Sequence, residues 1–331
     1  MAMGHVVRRM QAALAGAACL VIVGAPPAQA QGYPSQPVKI VVPFAAGGGV
    51  DQVARIISPK LGEVLGQTIV IENRGGAGAS LGAAAVANSA PDGYTLLLGT
   101  GSTHGTNSSV YKKLSYDPVR DFVPVVQVTT SPLVLIVPPS LPAKSVEELI
   151  ALGRSKPGEL SYASYGTGSI NHLGAELFNA MANIKASHIP YRGAAPALTD
   201  LMAGRVQYTF DGVATSLGYA RAGNIRMLGV AGPKRSPVVP DIPTITEKAL
   251  PGFETQVWFG LFAPAKTPPA TVDLINRKVN EVLAMPSIKE SFAKLGIEGV
   301  GGTSDALSAR VRTEMDKWAK LVRERDLRFD Q

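Results

Sequence analysis

The residues with the clearest chemical potential in this chain are uncharged. Three apolar runs each open into a glycine-rich turn and then a helix-like segment. Val38 to Val42 leads into Pro43-Phe44-Ala45-Ala46-Gly47-Gly48-Gly49-Val50-Asp51. Ile69 to Ile71 leads into Glu72-Asn73-Arg74-Gly75-Gly76-Ala77-Gly78, and Leu160 to Ala163 into Ser164-Tyr165-Gly166-Thr167-Gly168-Ser169. Such turns leave backbone N–H groups unpaired at a helix start, where the helix dipole also favours negative charge. No Lys or Arg lies inside the first or third turn. The anion they suit is a carboxylate held by amides and hydroxyls, without a salt bridge.

The candidate contacts follow from that reading. In the first turn they are Phe44, Ala46, Gly47 and Gly48, with Asp51 placed to cap the helix. The second offers Gly76 and Ala77, while Arg74 is expected to pair with Glu72. The third offers Gly166, Thr167, Gly168 and Ser169. His172 lies in the first turns of the following helix, where a packed or capping histidine is more common than a ligand contact. Thr100 and Ser102 belong to Gly99-Thr100-Gly101-Ser102-Thr103-His104-Gly105-Thr106-Asn107, a polar loop or a ligand wall. Tyr191 and Gly193 in a further strand-to-helix turn, and Asp211 at the end of a strand, either reach a ligand or brace the loops.

Signatures of catalysis are few. There is no H-E-x-x-H and no P-loop. His104, His172 and His188 match no common metal spacing, and Gly75-Gly76-Ala77-Gly78 does not satisfy G-x-G-x-x-G. Neither enzyme chemistry nor a cofactor or metal is expected.

The elements that must position these turns alternate in type. Strands are predicted at Val38 to Val42, Thr68 to Ile71 and Tyr94 to Leu98, with helices at Val50 to Leu65 and Ser80 to Asn88. Further strands are predicted at Leu160 to Ala163, Ser187 to Pro190, Val206 to Phe210 and Ile225 to Val230, with helices at Ile170 to Met181 and Ala194 to Ala203. This alternation predicts parallel sheets covered by helices. Val123 to Val137 is an unusually long extended run interrupted by Pro132, and Val257 to Ala263 is its candidate return; both read as hinge strands between lobes. Two amphipathic helices close the chain, marked by Val272, Ile275, Val279 and Val282, and by Leu307, Val311, Met315, Trp318 and Val322. The expected domains are residues 31–128 plus 255–331, and residues 129–254. Ligands of open α/β sheets sit at the carboxyl ends of strands, so the turns should face the cleft between the lobes.

Residues 1–30 read as an export signal. Arg8-Arg9 precedes an apolar stretch from Ala12 to Ala25, and Ala28-Gln29-Ala30 is a small-x-small cleavage pattern. Cleavage after Ala30 removes Cys19, the only cysteine, so packing alone must stabilise what remains. Gly16 stands three places before Cys19, where lipoprotein processing needs a large apolar residue. The formal charge of +7 is scattered, which disfavours a nucleic-acid partner. The apolar stretch is also shorter than the roughly 20 residues of a spanning helix.

Taken in order, these segments resemble the periplasmic solute-binding receptors of tripartite tricarboxylate transporters, the Bug family. The resemblance runs through Pro43-Phe44-Ala45-Ala46-Gly47-Gly48, Asp51, Ala54-Arg55, Glu72-Asn73-Arg74, Gly76-Ala77-Gly78 and Pro91-Asp92-Gly93-Tyr94-Thr95-Leu96. It continues in Gly168-Ser169, His172-Leu173, Pro190-Tyr191-Arg192-Gly193, Pro251-Gly252-Phe253 and Trp258-Phe259-Gly260-Leu261-Phe262-Ala263-Pro264. It implies an α/β, two-lobed type II periplasmic-binding-protein fold that closes on a small carboxylate: a di- or tricarboxylic, amino or aromatic acid. The turns matching Phe44 to Gly49 and Gly166 to Ser169 would grip the carboxylate, partly through ordered water. The implied partner is a set of transporter membrane subunits, the implied location the periplasm, and the expected state a monomer. A sensor, an ABC-importer receptor and an exported enzyme are the alternative readings. Ala46 and Gly75 stand where proline is frequent in the family, and Tyr165 where a smaller residue is common. A Tyr165 ring at the cleft mouth would favour a flat or aromatic acid; the alternative is that it simply packs outward.

Overall fold

In the computed structural model, residues 32–328 are described; the export signal and its cleavage site lie outside the described residues. The strands are β1 (Val38–Val42), β2 (Ile69–Asn73), β3 (Thr95–Thr100), β4 (Phe122–Val137), β5 (Leu160–Ser164), β6 (Ala186–Pro190), β7 (Tyr208–Gly212), β8 (Arg226–Val230), β9 (Gln256–Pro264) and β10 (Glu298–Gly301). The helices are α1 (Gly49–Leu65), α2 (Ser80–Ala87), α3 (Asn107–Val110), α4 (Val146–Ser155), α5 (Ile170–Ala182) and α6 (Ala194–Met202). They continue with α7 (Val213–Arg221), α8 (Ile245–Lys248), α9 (Pro269–Ala284), α10 (Pro286–Lys294) and α11 (Ser304–Arg325). All lie in one contact unit that begins at Gln36.

The spatial strand order is β2-β1-β3-β9-β4-β7-β5-β6, with β8 and β10 also paired to β4. β1 is parallel to both β2 and β3, and β5 is parallel to both β6 and β7. β4 and β9 run antiparallel through the middle. β1 is a run of β-branched residues around Lys39, and Val38, Ile40, Val41 and Val42 are all buried, as a central strand covered on both faces requires.

β4 is the continuous spine. Its first part, Phe122 to Pro132, pairs with β9, and its last part, Leu133 to Ile136, pairs with β7. Pro132 has no N–H to give, and the ladder changes partner immediately after it. A second proline, Pro124, borders a register shift in the same strand. Beyond Pro132, alternate side chains enter different cores. Leu133, Leu135 and Val137 join Leu160, Tyr162, Phe178 and Phe210, whereas Val134 and Ile136 join Ala197, Leu198, Leu201 and Val213.

α11 connects the cores of the two sheets. Leu307 and Val311 pack with Val41, Leu97, Trp258 and Phe262 in the first. Trp318, Leu321 and Val322 pack in the cluster of Leu133, Tyr162 and Phe178 in the second. Arg325 then pairs with Glu176 of α5 at 3.5 Å. A division at residue 255 assigns all of this helix to the first lobe, whereas its side chains pack in both cores.

Candidate functional site

The first turn leaves β1 and enters α1 without a side-chain cap at Gly48. Asp51, the third residue of the helix, organises it from within. Its Oδ2 accepts from the Gly47 amide at 2.8 Å and from Arg55 Nε at 2.8 Å, and its Oδ1 accepts from Asn73 Nδ2 at 3.0 Å. Burial alone would raise the carboxyl's pKa, but these hydrogen bonds and the Arg55 charge together hold it below the usual carboxylate value. Asn73 also donates to the Phe44 carbonyl at 3.1 Å, joining turn one to turn two. Phe44 is half-buried, and Ala46 and Gly47 are exposed. A Cβ at Gly47, whose φ is +87°, would meet nothing within 4 Å, so the turn's outer face is open.

Turn two has four successive residues in positive φ: Gly76, Ala77, Gly78 and Ala79. Two of these are alanines, which pay steric strain there that glycine does not. The turn is held by Asn107 Nδ2, which donates to the Gly78 carbonyl at 3.0 Å. Gly76 and Ala77 remain exposed. Arg74 pairs with Glu72 at 3.0 Å, as expected, and Glu72 also takes Lys39 at 2.8 Å.

Turn three joins β5 to α5. Ser169 is the helix N-cap, 3% exposed, with its Oγ accepting from the His172 amide at 3.3 Å. Three amides of the turn are already engaged. Gly166 donates to Ser164 Oγ (3.3 Å), Gly168 to His172 Nδ1 (3.1 Å) and Ser169 to the Gly166 carbonyl (3.1 Å). Among the described residues, the amides of Thr167, Ile170 and Asn171 carry no hydrogen bond. These, with the Thr167 side chain, are the available donors. His172 is 1% exposed and stacks on His188 at 3.9 Å. Burial and the neighbouring His188 lower its pKa to about 3, so it is neutral. It is a packed, capping histidine.

Turn three also meets the loop after β3. Thr106 Oγ1 donates to the Gly168 carbonyl at 2.8 Å, and Tyr111 hydroxyl to the Thr167 carbonyl at 2.9 Å. Asn107 and Tyr111 therefore link turn two to turn three, a pairing that sequence patterning did not single out. Thr100 and Ser102 are 4% and 3% exposed. Thr100 Oγ1 accepts from the Ser102 and Thr103 amides, so it folds its own loop.

Other selected side chains are held by their neighbours. Tyr191 donates to Asp200 at 2.8 Å, and Asp200 pairs with Arg205 at 2.7 Å. Asp211, 1% exposed, accepts from Ser216 at 2.6 Å, and burial raises its pKa. The Tyr165 ring packs beside Tyr191 against the second sheet's core; its buried hydroxyl forms no hydrogen bond of normal geometry, though Asp211 is near enough to interact with it electrostatically. Gly193, at the uncapped start of α6, has φ +123° and open space where a Cβ would lie.

Two surface grooves touch the turns only through supporting residues, Arg55 in one and Tyr111 in the other. One is lined by residues from Arg55 to Ile71, including Ser58 and Gln67, and the other by residues from Ser108 to Asp121. Neither contains a residue selected from the sequence. Among the described residues, no group of His, Cys, Asp or Glu is placed to hold a metal ion, and no helix is long and apolar enough to cross a membrane.

A model of the tripartite tricarboxylate transporter family receptor matches residues 53–327. A Pseudomonas sp. (strain P51) protein described as the UPF0065 protein in the tcbD-tcbE intergenic region is 41% identical over 301 residues, covering 90% of this chain and 89% of its own. The R. palustris protein Rpa4515, solved with adipate, has 40% identity and a TM-score of 0.84, covering 88% of this chain and 97% of its own. MatC from Rhodopseudomonas palustris, with bound malate, has 36% identity and a TM-score of 0.82, covering 88% and 100%. The periplasmic binding protein BugD has 34% identity and a TM-score of 0.83, covering 90% and 100%.

Proposed function

Because the chain belongs to the tripartite tricarboxylate transporter receptor family, with the α/β two-lobed fold of periplasmic binding proteins, we propose that it captures a small carboxylate between its lobes and delivers it unchanged to a membrane transporter of that class. The observation that carries this reading is turn three: three unpaired amides at a helix N-terminus with no cation beside them. Turn one supplies a second helix start from the other sheet, there with no side-chain cap at Gly48. Adipate and malate in two relatives support aliphatic dicarboxylates as the first acids to try. The lobes we assign are residues 31–128 with 255–331 and residues 129–254, with hinges near Thr129 to Val134 and Val257 to Phe262. Binding that uses both lobes at once favours the closed form by its differential affinity. The working location is the periplasm, after removal of residues 1–30.

A thermal-shift screen of residues 31–331, refolded to remove carried-over ligand, tests the reading against aliphatic di- and tricarboxylates, amino acids and aromatic acids. A native-state ligand raises the melting temperature. A rise with one class of acid is expected, and no rise with any of them counts against the proposal. Ser169→Ala removes both a hydroxyl beside the amides and the α5 cap. It should lower stability by about 1 kcal/mol and weaken acid binding. Calorimetry showing full affinity in this variant would remove Ser169 from the site.

A further inference from the structure

Turns one and three share a plan that their sequences conceal. In each, a glycine with positive φ precedes the helix N-cap: Gly47 at +87° before Gly48, and Gly168 at +78° before Ser169. In each, that glycine's N–H is taken by the side chain four residues on, the third residue of the helix. Asp51 Oδ2 accepts at 2.8 Å in turn one, and His172 Nδ1 at 3.1 Å in turn three. Both acceptors are buried, at 2% and 1% exposure. In the usual capping box the third residue is Glu or Gln and reaches the N-cap amide. Here it reaches one residue further back.

The two acceptors differ in charge. Asp51 is an anion neutralised by Arg55 at 2.8 Å. His172 is neutral, and because Nδ1 accepts, its ring proton is on Nε2. Among the described residues, no ion pair touches turn three. The ring is backed by His188 at 3.9 Å, and His188 Nε2 is hydrogen-bonded to Ser164 Oγ at 2.6 Å. The same Ser164 Oγ accepts the Gly166 amide, so both ends of the turn are fixed from beneath.

We propose that His172 is a positioning residue that does not touch the ligand. It draws the Gly168 amide inward so that the Thr167, Ile170 and Asn171 amides face a bound carboxylate, and it does so without adding a negative charge. Turn one does the same with Asp51 only by keeping Arg55 beside it. This rests on the carboxylate reading for its ligand, while its structural half stands without one.

Three variants separate geometry from charge. His172→Gln keeps a neutral acceptor, His172→Asp installs the acceptor that turn one uses, and His172→Ala removes it. Hydrogen exchange of the Gly168 amide, followed by NMR without ligand, reads the geometry. Protection should persist in His172→Gln and fall at least about tenfold in His172→Ala. Calorimetry at pH 8 with adipate and with malate reads the charge. His172→Gln should bind within about threefold of wild type, and His172→Asp should bind about tenfold more weakly, with the deficit shrinking at high salt. Unchanged Gly168 exchange in His172→Ala overturns the proposal, and so does His172→Asp binding as tightly as His172→Gln. If wild type binds neither acid, the carboxylate reading loses support, and Gly168 exchange still decides whether His172 positions the turn.

Discussion

Replacing Trp318 with alanine is expected to lower the free energy of unfolding by about 3–5 kcal/mol, the range for truncating a large buried aromatic residue. Trp318 is fully buried on the part of α11 that packs into the second sheet's core. Its indole N–H donates to Glu314 Oε2 at 2.8 Å, and Glu314 is itself only 6% exposed. Truncation therefore leaves a cavity and removes one partner of a buried carboxylate, whose remaining contact is Arg310 at 3.4 Å. Trp318→Phe keeps most of the packing and loses the hydrogen bond, so it should cost about 1–3 kcal/mol. Urea unfolding followed by circular dichroism measures both. A loss below about 1 kcal/mol for Trp318→Ala would mean that the second half of α11 is not part of the cooperative fold.

Acid should destabilise the protein well above the pH at which carboxylates titrate. Burial lowers the pKa of His104 to about 3, and burial together with His188 lowers that of His172 to about 3. In the unfolded chain both return to about 6.5. Above pH 6.5 neither state binds the proton and these groups contribute no pH dependence. Below it the unfolded chain takes up protons that the folded one refuses, so stability falls by roughly 1.4 kcal/mol per pH unit for each histidine until the folded pKa is reached. At pH 5 the two together should cost about 4 kcal/mol relative to neutrality. His188, lowered to about 4 by burial, adds to the same slope. Asp51, Glu72 and Asp117 have depressed pKa values, so the stability they contribute is lost at still lower pH. Urea unfolding at pH 7.5 and pH 5.0 tests this, and equal free energies at the two pH values would refute it. His172→Gln should flatten the slope by one proton.

The elements that position the site were legible because they carry periodic or punctuated signals. The long run with Pro132 became a single strand from Phe122 to Val137, and the spacings of α9 and α11 matched buried faces. α4 is not among the predicted helices, although its signal is present in the sequence. Ser145 accepts from the Glu148 amide at 3.2 Å, and Glu148 from the Lys144 amide at 2.6 Å, the local pattern of a capped helix start. α7 begins at Gly212 with no side-chain cap and contains Gly218, so it offers little to read. β10 is four residues long, and Val300 within it is exposed. Within the site, sequence identified the turns but could not say which way their neighbours point. Tyr191 and Asp211 are occupied by Asp200 and Ser216. Tyr111 reaches Thr167 across 56 residues, a contact no local pattern encodes.

The continuous spine of β4 also imposes an order of assembly. Its last residues pair with β7 and β8, at Tyr208 to Gly212 and Arg226 to Val230, but Phe122 to Pro132 wait for β9, which begins at Gln256. On a chain emerging from its N-terminus, β1, β2 and β3 are complete long before the strand that joins them to β4 exists. Closing that gap spans more than a hundred residues, the kind of distant pairing that slows folding. The inserted half can therefore mature while the first half still has an open sheet edge at β3. During that interval the exposed edge is one more strand edge, beside β2 and β6 at the ends of the strand order, on which another chain can mispair.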